Sequence, residues 1–301
     1  MQYSGFADEA GSSIEVQIRA TQDLGWHMIE ARNIGSTNIT DISDGEFDEA
    51  AQRLAAAGIK IHCFGSAVAN WGTDPRREED FQRSMESLRR AIPRMHRLGT
   101  KFIRGMSFGI VRDEQPDSPQ LEKMIFEKVR ALVRICEENG VVYLHENCMN
   151  YGGLSYQHTL KLMEAVNSPN FRLVFDTGNP VGSDNRIGDP PYRKQSSWEF
   201  YRQVKDYVVH VHIKDCIFIE ETDGLFPKLE HTFPGEGHGD VAQIVDDLIA
   251  SRYEGVLSIE PHLAVVYHDD TVQSAEEIRY QNYVEYGKRL MALVDQLEKR
   301  I

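Results

Sequence analysis

Four short strings in the second half of the chain carry side chains suited to holding a cation. They are Leu144-His145-Glu146-Asn147, Val174-Phe175-Asp176-Thr177-Gly178-Asn179, His210-Val211-His212-Ile213-Lys214-Asp215 and Ser258-Ile259-Glu260-Pro261-His262. Each contributes a carboxylate or an imidazole. Alternate residues of a strand share a face, so Glu146 lies with Leu144 and Val142, Asp176 with Val174, and Glu260 with Ser258 and Val256. Those neighbours suit the inside of a barrel. A lone Asp or Glu at a strand end is usually a solvated loop charge or a helix cap. Four such strings in succession argue for convergence, and three carboxylates meeting in a closed core repel and desolvate one another unless a cation compensates them. Glu146, Asp176, His212 and Glu260 offer three oxygens and one nitrogen, a set that suits one divalent ion, with Mn²⁺, Mg²⁺, Co²⁺ and Zn²⁺ all admissible. His210 reads as barrel filling or as support for its neighbour His212.

The elements that must position these residues alternate along the whole chain. Short apolar runs at 3–8, 26–32, 59–64, 101–106, 141–146, 171–176, 207–212 and 255–260 predict eight strands separated by amphipathic helical segments. Ser12-Ser13-Ile14-Glu15 reads as a capping box, with Gly25 beyond the end of its helix. Ser118-Pro119 opens another helix, which Asn139-Gly140 closes. Phe81, Met85, Leu88, Ile92, Met95 and Leu98 form a stripe for packing on a sheet, and Pro93 is expected to kink that helix. Eight strand-helix units without a composition break predict an α/β fold in one domain, a (β/α)₈ TIM barrel spanning 1–301, since such barrels use about 250 residues. Barrels of this kind carry their chemistry at the C-terminal strand ends, where the four strings lie. A hairpin insertion is expected near 216–233, from Ile217-Phe218-Ile219, Asp223-Gly224 and Leu225-Phe226. A C-terminal helix is expected over 274–299; its Ile278, Leu290, Leu293 and Leu297 would close the barrel bottom or pair two copies into a homo-oligomer.

Composition narrows the partners. A formal net charge of −14 counts against a nucleic-acid partner, which needs clustered Lys and Arg to displace counterions. A small, neutral or metal-chelated substrate fits better. Cys63, Cys136, Cys148 and Cys216 form no Cys-x-x-Cys pair and are expected to be reduced thiols. No apolar run approaches the roughly 18 residues of a membrane span. The start Met1-Gln2-Tyr3-Ser4-Gly5 lacks the pattern of a secretory signal, so a cytoplasmic location is expected.

The strand ends resemble the xylose isomerase-like superfamily of sugar isomerases and epimerases. Its relatives include tagatose and psicose 3-epimerases, hydroxypyruvate isomerase, inosose dehydratase and endonuclease IV. The resemblance covers nearly the whole chain: Glu after the fifth strand, Asp after the sixth, His after the seventh in a His-x-Lys-Asp string and Glu after the eighth match Glu146, Asp176, His212 and Glu260 in order. Gly5-Phe6-Ala7-Asp8-Glu9 and Pro234-Gly235-Glu236-Gly237 also look like this superfamily, less specifically. Many epimerase relatives carry a His where this chain has Asn179, which weighs against a close ketose epimerase because an amide cannot exchange a proton near neutral pH.

The resemblance implies a divalent-metal-dependent isomerase or epimerase of sugars, or of sugar-like polyols and keto acids. The substrate would chelate the ion through a carbonyl and an adjacent hydroxyl, giving a metal-stabilised enediolate, with Glu146 and Glu260 as acid and base. Loss of a β-hydroxyl on the same residues would make it a dehydratase of the inosose type. Expected substrate contacts are His62, Asn179, Lys214, Trp71 as an apolar wall, Arg104 (also a buried partner for Glu30 or Glu146), and Glu236 with His238 at the rim. The hairpin after the seventh strand would exclude water. From other functional classes, a phosphodiesterase would need a basic groove and further His and Asp ligands. A non-catalytic sugar-binding barrel would have no need of all four ligands.

Overall fold

Each run expected to be a strand forms one, although several ends move. The computed structural model describes residues 1–224, 226–263, 265–266, 269–273 and 276–300, with only the backbone described within 265–273. The strands are β1 (Gln2–Gly5), β2 (Met28–Ala31), β3 (Lys60–Val68), β4 (Phe102–Gly105), β5 (Val142–Glu146), β6 (Phe171–Asp176), β7 (Val208–Ile213) and β8 (Val256–Ile259). They lie in the order β1-β8-β7-β6-β5-β4-β3-β2, every neighbouring pair parallel. A parallel bridge between Phe6 and Glu30 joins the ends of the sheet and closes the ring. The fold is a (β/α)₈ barrel.

The wall helices are α1 (Ile14–Asp23), α2 (Asp44–Ala56), α3 (Glu78–Leu98), α4 (Pro119–Glu138), α5 (Tyr156–Val166), α6 (Ser197–Val204), α7 (Val241–Ala250) and α8 (Glu276–Glu298). Helix α8 packs between α7 and α1 and completes the wall, burying Leu290 and Leu297 while Ile278 stays exposed. Positions 274 and 275, where this helix was expected to start, lie outside the described residues. Tyr143, Phe175, Val211 and Leu257 face the helices and belong to the main core. Their strand neighbours Leu144 and Val174 meet Cys63 in a small cluster of their own. Period-two alternation therefore separates two layers, and the four ligand candidates belong to the inner one.

Several local expectations shift for identifiable reasons. The N-cap of α1 is Ser13, whose Oγ accepts the Val16 N–H at 3.3 Å. Ser12 is unsuited to that place because its carbonyl already accepts the Gly35 N–H and the Gln17 side chain. A capping box does occur in α2, where Ser43 and Glu46 cap each other. Helix α3 continues through Pro93, which sits on its exposed side. Strand β3 extends to Val68 through a register shift, with Ser66 Oγ donating to the Arg104 carbonyl. The hairpin consists of strands Asp215–Glu220 and Lys228–Thr232, paired antiparallel. Leu225, assigned to that hairpin from sequence, lies outside the described residues. All four cysteines are free, and among the described residues no helix is long and apolar enough to cross a membrane.

Candidate metal centre

Glu146 ends β5, Asp176 ends β6, His212 lies one residue before the end of β7, and Glu260 follows β8 directly. Each is held by its own backbone surroundings. The Asn147 side chain clasps β5 to β6, accepting the Asp176 N–H at 2.7 Å and donating to the Asp176 carbonyl at 2.9 Å. Asp176 Oδ1 accepts the N–H groups of Gly178 and Asn179, leaving Oδ2 toward the centre and 3.1 Å from Lys214 Nζ. Thr177 Oγ1 donates to the Lys214 carbonyl at 2.6 Å, and the Glu260 N–H donates to the Ile213 carbonyl at 3.0 Å. One ligand atom from each of Glu146, Asp176, His212 and Glu260 lies within 4.8 Å of all the others, and all four residues are buried.

The charge around these atoms is unbalanced. Six buried carboxylates (Asp8, Glu9, Glu30, Glu146, Asp176 and Glu260) meet three permanent cations, Arg32, Arg104 and Lys214. Burial pushes the Asp176 carboxyl up to about 7, and Glu260 and Glu146 add to that against the pull of Lys214. Burial also acts on Glu260 and Glu146. It is outweighed at Glu260 by Lys214 and Arg32, and at Glu146 by Arg104 and His212, so both stay below the usual carboxylate range. Burial disfavours a charged His212 ring, yet Glu30 and Glu146 raise it to about 10. A site that makes a carboxylate hold its proton and an imidazole gain one is short of positive charge. The donor set, the spacing and this deficit fit one divalent ion, whose identity they leave open.

A cavity of about 370 Å³ opens above these residues and is lined by Glu146, Glu260, Lys214, Arg104, Asn179 and Trp71 among others. Arg104 pairs with Glu146 Oε2 at 3.2 Å, and Asn179 Nδ2 donates to Glu146 Oε1 at 3.3 Å. Lys214 Nζ reaches Glu260 Oε2 at 3.0 Å. Trp71 meets Phe226 of the hairpin edge to face, with ring centroids 5.3 Å apart. Two expected contacts lie elsewhere. His62 sits near the start of β3, deeper in the barrel, against Phe102 and His210. Glu236 points outward and pairs with Arg289 of α8 at 2.7 Å. The string around Glu236 has another role, because the N–H groups of Gly235, Gly237 and Gly239 all donate to the Asp215 carboxylate. A Cβ on Gly237 would collide with that carboxylate.

Arg32, which directly follows β2, went unassigned in the sequence, although Glu30 and Arg32 are two apart in the run 26–32 and so were expected on one face. It bridges Asp8 at 2.9 Å, Glu9 at 3.1 Å and Glu260 at 2.9 Å. Glu9 in turn accepts the His262 N–H at 2.8 Å. Burial lowers His262 to about 3 despite Glu260 beside it, so that ring is neutral.

The fold and this mouth define a (β/α)₈ barrel with a metal-ligand cluster at the C-terminal ends of its last four strands. The chain belongs to the family described as xylose isomerase-like TIM barrel, whose model matches residues 18–282. It is similar to the inosose dehydratase of Salmonella typhimurium, 24% identical over 215 residues that cover 66% of this chain and 62% of that protein. An uncharacterised protein of Methanocaldococcus jannaschii is 26% identical over 141 residues, 45% of this chain and 42% of the other. The chain thus spans less than two thirds of the length of the curated relatives it matches. Among solved structures, a probable 3-DHS dehydratase from Bacillus anthracis superposes with a TM-score of 0.69 at 16% identity, covering 97% of this chain and 99% of that one.

Proposed function

We propose that this chain is a divalent-metal-dependent isomerase or epimerase of a sugar, or of a sugar-like polyol or keto acid. The observation that carries the proposal is the pair Glu146 and Glu260, two buried carboxylates held charged within one four-residue ligand cluster at the floor of a cavity. Glu146, Asp176, His212 and Glu260 would hold the ion, which supplies Lewis acidity toward a carbonyl and an adjacent hydroxyl oxygen. One of the two glutamates takes the proton from the carbon beside the carbonyl, and the other returns a proton at a neighbouring carbon or on the opposite face. Arg104 beside Glu146, and Arg32 with Lys214 beside Glu260, keep both carboxylates available as bases. Trp71 and Phe226 wall the cavity and limit water.

The substrate is unphosphorylated. Arg32, Arg104 and Lys214, which line the cavity, are each already paired with buried carboxylates, which among the described residues leaves no cation unpaired there for a phosphate. The likeness to an inosose dehydratase supports a second reading on the same residues, in which a β-hydroxyl leaves after the first proton transfer. Incubation with metal in D₂O against ketoses, inososes and hydroxypyruvate tests both. Deuterium entering beside a carbonyl supports the class, and water loss from an inosose selects the dehydratase. Phosphodiester cleavage without exchange rejects both readings.

A further inference from the structure

His212 can bind an ion through either ring nitrogen, and the choice depends on which one carries the proton. Its Nε2 lies 3.0 Å from Glu30 Oε2, and its Nδ1 faces Glu146 Oε1 at 3.4 Å. Carboxylates only accept, so both nitrogens donate when no ion is bound; the Nε2 contact is the shorter, and Glu146 on the Nδ1 side is itself a ligand candidate, which leaves Nδ1 as the nitrogen to lose its proton to an ion. Glu30 is well placed to impose this. It ends no ligand string, lies on β2 at the seam that closes the barrel, and its side chain is fully buried, as is that of His212. The same Oε2 atom accepts from His210 Nε2 at 2.7 Å and from Ser258 Oγ at 2.9 Å, so strands β7 and β8 anchor the carboxylate from two further sides. The Phe6 ring meets the His212 ring edge on, with centroids 5.0 Å apart, and restricts its rotation.

We infer that Glu30 is a positioning residue for the metal centre: it holds the Nε2 proton of His212, fixes the ring plane and presents Nδ1 toward Glu146, Asp176 and Glu260. This rests on the metal-centre reading above. His210 then acts one step further back, as an anchor for Glu30. A second arrangement is also within reach, because Glu30, Cys63 and His210 bring one ligand atom each within 4.8 Å of one another and could take an ion themselves. The existing hydrogen bonds of Glu30 Oε2 favour the positioning role.

The unaltered protein can be tested directly, without activity as the readout. Loaded with ¹¹³Cd after ¹⁵N-histidine labelling, it is expected to show metal coupling to Nδ1 of one histidine, absent in His212→Gln, with the proton on Nε2. One ion should bind per chain. Outer-shell partners of this kind typically change metal affinity by about 10–100-fold. The Mn²⁺ dissociation constant should therefore rise about tenfold or more in Glu30→Leu, and less in Glu30→Gln, whose amide oxygen can still accept the Nε2 proton. Coupling to Nε2, two ions per chain, or unchanged affinity in folded Glu30→Leu each overturns the role of Glu30. Failure of the wild-type chain to bind any divalent ion overturns the metal-centre reading itself, and the two failures are distinguishable.

Discussion

Replacing Arg32 with Met tests the electrostatic account of the mouth most severely. The guanidinium is 8% exposed and pairs with Asp8, Glu9 and Glu260, whose side chains are 1%, 3% and 5% exposed. Removing one partner of a buried ion pair costs about 3–5 kcal/mol, because the surviving charge is left without compensation. Here three carboxylates lose a partner at once. Part of the loss is recovered: Asp8 keeps the Asn33 backbone and side-chain donors, Glu9 keeps the His262 N–H, and Glu260 keeps Lys214. The expected net loss is therefore about 4 kcal/mol, which for a chain of 301 residues lowers Tm by roughly 6 °C. Urea unfolding of the metal-free protein at pH 7.5 measures it. Burial already holds Asp8 and Glu9 above their unfolded values, and losing Arg32 raises both further, so the variant regains stability as pH falls and its deficit should shrink between pH 7.5 and 6. Arg32→Lys, which keeps the charge and loses the planar fork, should fall between the two proteins. A loss below about 1 kcal/mol in Arg32→Met, or a deficit that widens toward pH 6, refutes the reasoning.

Glu146→Gln and Glu260→Gln should each abolish solvent-proton exchange into substrate while the far-ultraviolet circular dichroism stays unchanged; full activity in either contradicts their roles. Adding Mn²⁺ at about 100 times its dissociation constant should stabilise the chain by about 2.7 kcal/mol, and a chelator should reverse the gain, as read by thermal shift. Burial, with His210 nearby, lowers His62 to about 4, so the folded state resists a proton that the unfolded chain takes up near 6.5. Stability should thus fall as pH drops from 6.5 to 4, and His62→Phe should remove up to about 3 kcal/mol of that dependence in urea melts across the range. Gly237→Ala should lower Tm, because its new methyl would occupy space held by the Asp215 carboxylate.

Much of the centre was legible locally because strand alternation is a property of the backbone alone. Once 141–146, 171–176, 207–212 and 255–260 are strands, Glu146, Asp176, His212 and Glu260 must share the face of Leu144, Val174, His210 and Ser258. The eight runs likewise implied the barrel, since parallel strands need helical crossovers and both faces of the sheet must be buried. Ser118-Pro119 and Asn139-Gly140 bounded α4 for equally local reasons: Ser118 caps the helix, and Gly140 takes a φ of +66° beyond its end.

Depth and closure were decided only in three dimensions. His62 was expected to contact substrate, but the register shift after Phe64 extends β3 to Val68 and leaves His62 deep in the barrel. Glu236 was placed at the rim, but the three N–H groups that wrap Asp215 orient its loop, and its side chain turns out to Arg289. Arg32 reaches Asp8, Glu9 and Glu260 only because β1 stands between β2 and β8 in the closed ring, and Glu30 sits under His212 for the same reason. Periodicity tells each strand which way its side chains face. Which strand supplies the opposing charge, and at what height, depends on shear and closure, which are set by the packing of all eight strands together.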